Sequence, residues 1–178
     1  MRILLLLLIA FLACGENEEV ENELVNTTVV PGREAVGIKL GDDLDKVREL
    51  YGEPQLDYRP EWYKTLPWTI AYDWSDLGVT VYFDNDRAVE IGVRNAEART
   101  TNGLSVGSSW DEVHEVYGNE ENVDSGQGGA LFVFGHGDAK YSDAYTSKGI
   151  EFRYTIEPFV VVQMVVFDVT RDAVVDVE

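Results

Sequence analysis

The chain has little of several things. One cysteine in 178 residues rules out an internal disulfide and any cysteine-based zinc cluster. Two histidines leave little of the commonest acid–base group. Lys and Arg number 14 against 33 Asp and Glu, giving a formal net charge of −19. The basic footprint of a nucleic-acid binder is therefore missing, as is a polybasic patch for anionic lipid. The apolar run Ile3 to Leu12 falls short of the roughly 20 residues that a spanning helix needs. What is present is 45% hydrophobic and 11% aromatic residues, too apolar for a disordered acidic tail. The length suits one ordinary domain or two small ones.

The beginning reads as an address. Met1-Arg2 gives a minimal positive start, and Ile3 to Leu12 has the length of a signal-peptide core. Ala13-Cys14-Gly15 closes it. A small residue, then Cys, then Gly, resembles the lipobox of bacterial lipoproteins, although Phe11 and Leu12 depart from the commoner residues there. The resemblance implies cleavage before Cys14 and acylation of that cysteine. Residues 1–13 are then the signal peptide. Residues 14–34 are expected to be an acidic tether, because Glu16 to Glu23 places five carboxylates in eight residues. Acidic residues behind the lipidated Cys resemble the surface-export signals of Bacteroidetes lipoproteins. With the missing Asp after Cys14, they imply the outer membrane.

The remainder is a tandem repeat. Gly37-Ile-Lys-Leu-Gly-Asp-Asp-Leu-Asp-Lys-Val-Arg-Glu-Leu-Tyr-Gly52 aligns without gaps to residues Gly103 to Gly118, 66 positions later. Seven of the sixteen positions are identical, including both flanking glycines. Asp42 and Ser108 are expected N-caps, with Asp45 and Asp111 three residues on. Leu44, Val47, Leu50 and Tyr51 recur at helical spacing, as do Trp110, Val113, Val116 and Tyr117. Gly52 and Gly118 sit where a left-handed residue ends a helix. Alternation predicts strands over Trp68–Trp74, Val79–Asp84 and Ala88–Arg94, with a turn at Asp84-Asn85-Asp86-Arg87. In the second unit the candidates are Leu131–Phe134, Gly149–Ile156 and Phe159–Asp168, the last Val-rich enough for burial on both faces. The expected class is α+β: two tandem helix-plus-antiparallel-sheet units, 35–99 and 100–170, helices packed on one sheet face. Residues 171–178 form an acidic tail.

The signature Gly-Ile-x-Leu-Gly, then Val-x-x-x-Tyr-Gly-x-Pro, then Trp68 and Tyr72 on a strand, then a hairpin, resembles the beta-lactamase inhibitor protein-like superfamily. That group includes the SmpA/OmlA family of outer-membrane assembly lipoproteins. The resemblance spans Ala35 to Asp168 and implies tandem units whose sheets form a protein-binding face. The inhibitor's disulfides are absent here, so its beta-lactamase target does not carry over.

Constellations for catalysis are thin. His114 reads as a surface helix residue and His136-Gly-Asp138 as part of a Gly-rich loop; two ligands do not make a metal site. Asp84-Asn-Asp86 lacks the Gly and terminal Glu of an EF-hand. No metal or cofactor is expected, and no enzyme activity. Aromatic residues crowd Trp62 to Tyr82. Exposed aromatics on a sheet are typical anchors. The sequence thus nominates Trp62, Tyr63, Trp74, Tyr82, Tyr145 and Arg153 for partner binding, and Cys14 for lipid. The expected role is a non-catalytic envelope lipoprotein that binds a protein, one of basic charge given about −15 on the chain after Glu23. The alternative is a small-ligand or calcium-binding module, since carboxylates suit hard cations.

Overall fold

The computed structural model describes residues 23–59, 68–119, 122–124, 141–155 and 158–169. Two sheets and two short helices are seen among them, so the class is α+β and mostly sheet. The first half supplies β4 (Leu56–Tyr58), β5 (Ile70–Trp74), β6 (Val79–Asp84) and β7 (Arg87–Val93) to the large sheet. The second half supplies β9 (Asn122–Asp124), β10 (Tyr141–Tyr145), β11 (Ile150–Tyr154) and β12 (Val161–Phe167). The order is β4-β5-β6-β7-β12-β11-β10-β9, antiparallel throughout. A small sheet joins β1 (Thr28–Val30), β2 (Glu34–Ala35), β3 (Ile38–Lys39) and β8 (Arg99–Thr100) in the order β3-β2-β1-β8. The helices are α1 (Leu44–Tyr51) and α2 (Trp110–Tyr117).

The register exposes a pseudo-twofold axis. Val81 lies opposite Ile91 in the first half, and Phe152 opposite Met164 in the second. Met164 is therefore the counterpart of Ile91, Val165 of Gly92 and Val166 of Val93. At the seam Ile91 pairs with Val166 and Val93 with Met164, while Gly92 faces its own counterpart, Val165. The axis runs through that pair. β12 is almost wholly buried on both faces, as its run of valines suggests.

The helices end where the repeat predicts but start one residue later. Asp43, not Asp42, caps α1, accepting from Lys46 N at 3.0 Å. Ser109, not Ser108, caps α2 in a reciprocal box with Glu112. Hydrogen bonds from Ser109 hold the Glu112 carboxyl below its ordinary range. Asp42 and Ser108 instead accept from the backbone N–H of Lys39 and Ser105, three residues earlier. Their backbones also dock on the start of β7 and β12, through Ala88 N to Asp42 O and Val161 N to Ser108 O, both 2.8 Å. Gly52 and Gly118 have positive φ, 72° and 80°, but extended ψ, so they are not the left-handed caps expected.

Folded structure begins before residue 35, which shortens the tether. β1 pairs antiparallel with β2 and parallel with β8, bridging both halves. A Pro31-Gly32 turn follows, and Gly32 N donates to Gly149 O at 2.9 Å. The segment ahead of the first half thus packs on the second. The segment ahead of the second reciprocates: Asn95 N lies 3.1 Å from the Cβ position of Gly78, the counterpart of Gly149. Both glycines close 3-10 turns in the left-handed conformation.

One face of the large sheet carries Trp74, Val79, Val81, Phe83, Ile91, Tyr145, Ile150, Phe152, Met164 and Val166. Val47 of α1 and Val113 of α2 belong to the same apolar cluster. Tyr117 sets its ring 5.3 Å from Phe152 and 5.0 Å from Tyr145. The strand predicted at 131–134 lies outside the described residues, and the strand matching β5 is 141–145. The turn at Asn85-Asp86 is a two-residue hairpin with both residues at positive φ, 48° and 63°. Gly suits the second place of such a turn better than Asp. Asp86→Gly is expected to raise stability by about 0.5 kcal/mol, read as a higher urea midpoint with unchanged slope.

Candidate functional site

The nominated anchors divide three ways. Cys14, Trp62 and Tyr63 lie outside the described residues, with His136 and Asp138. Trp74 and Tyr145 are counterparts in the two halves, and both are buried. Trp74 Nε1 donates to Gly52 O at 3.0 Å, and Tyr145 OH donates to Gly118 O at 3.2 Å. Each aromatic therefore satisfies the last carbonyl beyond a helix and ties that helix end to the sheet. They are fixtures of the fold, not surface anchors.

Tyr82 and Arg153 are also counterparts, and the structure brings them together on the opposite sheet face. They too are buried, so neither presents a free surface. Arg153 donates to Gln163 Oε1 at 2.9 Å and to Glu151 Oε1 at 2.8 Å. Burial opposes its charge, yet Glu151 and its neighbours more than offset this and hold its proton more firmly than usual. The phenol of Tyr82 is pushed up to about 12, first by burial. Gly92 makes room here: a Cβ on it would lie 2.5 Å from Gln163 Nε2. Beside this group Trp68 packs 5.0 Å from Tyr82 and 6.2 Å from Tyr58, forming a second small apolar cluster.

The same face holds a buried carboxylate in the first half. Asp73 Oδ1 accepts from Thr80 Oγ1 and from Arg94 Nη2, both at 2.6 Å, and Ser75 donates to its Oδ2. Both of its oxygens are hydrogen-bonded, as a buried polar side chain requires.

A different constellation occupies the helix-bearing face of the second half. His114 is not a surface residue: its side chain is 13% exposed and its ring lies 3.7 Å from that of Trp110. His114 Nδ1 is 3.0 Å from Trp110 O, and Nε2 is 3.8 Å from Oδ2 of fully buried Asp143. The hydroxyl of Tyr154 also faces Asp143; burial first, then that carboxylate, hold the phenol well above its ordinary range. Sequence reading missed this group. The signal was Arg48 giving way to His114 between the aligned repeats.

Among the described residues no three His, Cys, Asp or Glu come together to hold a metal ion. None of the described helices is long and apolar enough to cross a membrane. No family model matches the chain, and no curated protein does. Among solved structures, it is similar to an extracellular protein containing an SCP domain from Bacillus anthracis str. Ames, at 13% identity and a TM-score of 0.47. The match covers 75% of this chain, which spans 46% of that one. A likeness of that size carries no argument about fold or function.

Proposed function

We propose that the protein is an acylated lipoprotein of the bacterial outer membrane whose folded body is a non-catalytic, protein-binding module. The observation that carries this is Ala13-Cys14-Gly15 behind the run Ile3 to Leu12, with the chain's one cysteine at the place acylation requires. Several acyl chains at ~0.8 kcal/mol per buried methylene make a firm anchor. The strongly acidic body is repelled by an anionic lipid surface and favours a partner of basic charge. On the sheet face opposite α1 and α2, Tyr82, Arg153 and Gln163 are buried, and Arg153 is paired with Glu151 and Gln163, so these side chains are not what a partner meets. Recognition falls to Trp62 and Tyr63, which sit in sequence between β4 and β5.

Metabolic labelling with palmitate tests the anchor. The wild-type chain takes up label and pellets with membranes; Cys14→Ser takes up none and appears in the soluble fraction. Equal labelling of both would remove the lipoprotein reading. Capture of a partner from envelope extract by the mature chain tests the rest. Trp62→Ala with Tyr63→Ala is expected to abolish it, and undiminished capture would take both residues out of the interface.

A further inference from the structure

The two helices differ in how their acids are neutralised. On α1, Lys46 meets Asp42 at 2.6 Å, and Arg48 meets Asp45 at 3.5 Å and Glu53 at 2.9 Å. On α2 the repeat puts Glu112 and His114 where Lys46 and Arg48 stand, so this helix has no Lys or Arg. Glu112 closes the box with Ser109. Asp111 and Glu115 are exposed and have no ion pair among the described residues. Four residues apart, they share one side of the helix, where like charges repel. Asp111 lies in the first turn, which suits a carboxylate; Glu115 lies beyond it and gains nothing from the helix start.

The adjoining stripe of α2 carries Trp110 and His114, whose rings lie 3.7 Å apart. Trp110 is partly exposed, and so are Phe159 and Tyr141. Trp110 lies 6.1 Å from Phe159, and Phe159 5.4 Å from Tyr141. The backbone draws them together, since Trp110 N donates to Phe159 O at 3.3 Å. In the first half Leu44 and Ile70 take the places of Trp110 and Tyr141. The hairpin that delivers Phe159 is longer than its counterpart. Six residues, 155–160, separate the paired Tyr154 and Val161, against four, 84–87, between Phe83 and Ala88. The first half docks its helix on the sheet without these rings, so packing alone does not call for them.

We propose that Trp110, Phe159 and Tyr141, bordered by Asp111 and Glu115, dock an arginine-bearing segment of a partner protein. A guanidinium stacks on aromatic rings and donates in a fork to carboxylates; the compact ammonium of lysine does neither as well. Charge decides against a second copy of this chain, whose own acidic body would be brought against the same carboxylates. The inference rests on the reading of the body as a protein-binding module, and adds to Trp62 and Tyr63 a contact in the second half.

Calorimetric titration of the mature chain with a hexa-arginine peptide, at about 0.15 M salt, tests the site. Trp110→Leu and Tyr141→Ile, which install the residues of the first half, are each expected to weaken binding about fivefold or more. Asp111→Asn with Glu115→Gln should do the same. Asp45→Asn with Glu49→Gln removes equal charge from α1 and should leave binding within about twofold. Equal losses from the two helices would reduce the attraction to overall charge and overturn the site, as would undiminished binding by Trp110→Leu. Dimers of the wild type that Trp110→Leu abolishes would give the patch to a second copy and overturn it too. Should Trp110→Leu fail to fold, NMR of the wild type decides. Amides of Trp110, Asp111, Glu115 and Val160 that shift with added peptide support the site; shifts confined to α1 overturn it. Trp62→Ala with Tyr63→Ala should leave the peptide bound, and its loss there would move the contact to those residues. Peptide binding that follows Trp110 while capture from envelope extract fails supports this site and counts against the wider reading.

Discussion

Gly149→Ala is expected to be among the most damaging single substitutions in the chain, and far worse than the same change at Gly78. Both positions have left-handed backbone, φ 70° and 66°, which costs a non-glycine residue about 1–2 kcal/mol. At Gly78 the added methyl meets Asn95 N at 3.1 Å, a contact that a small shift relieves. At Gly149 it meets Phe167 O at 2.5 Å and Gly32 N at 2.8 Å, and also runs into Gly32 Cα. All three are backbone, so the strap from Thr28 to Arg33 or the seam strand β12 must move. Overpacking of that kind adds about 1–3 kcal/mol. The urea midpoint should fall about twice as far for Gly149→Ala as for Gly78→Ala. Hydrogen exchange should show the loss as release of Gly32 N–H, which bonds Gly149 O. Equal losses at the two sites would mean that the arm does not lie against Gly149.

Trp74→Ala is the second large effect, at about 3–5 kcal/mol, the range for deleting a fully buried aromatic. Trp74→Phe keeps most of the ring and removes the donor to Gly52 O, so it should cost roughly 1–2 kcal/mol. Tyr145→Phe removes the equivalent donor to Gly118 O and should cost about the same. A surface anchor would behave otherwise, changing stability by less than about 0.5 kcal/mol while weakening capture. Denaturation curves of the three variants separate the two roles.

These two substitutions also mark what could be read from the chain. Helix ends were legible because Gly52 and Gly118 punctuate an aligned repeat. Helix starts slipped by one residue because both units open on a doublet, Asp42-Asp43 and Ser108-Ser109, and either member can cap. Glu112, three residues after Ser109, was the tie-breaker. Strands β5, β6, β7, β11 and β12 follow from alternation. β10 did not, because Asp143 stands at a core position of Tyr-Ser-Asp-Ala-Tyr and breaks the apolar pattern. The two- and three-residue strands β1, β2, β3 and β8 are shorter than any period that could reveal them. Aromatic content marked Trp74, Tyr82 and Tyr145 as important. Which face each one takes depends on register and on what covers that face, and composition carries neither.

The seam has a consequence for how such a chain stays soluble. A single helix-and-four-strand unit would leave β7 as an open rim with unpaired amides and carbonyls, a template for stacking with other chains. Joining rim to rim about Gly92 and Val165 turns the two most apolar rims, β7 and β12, into the interior of one sheet. Among the described residues the strands left at the ends, β4 and β9, are three residues long and carry Asp57 and Asp124. Duplication here works as protection against aggregation: each copy is the guard strand of the other.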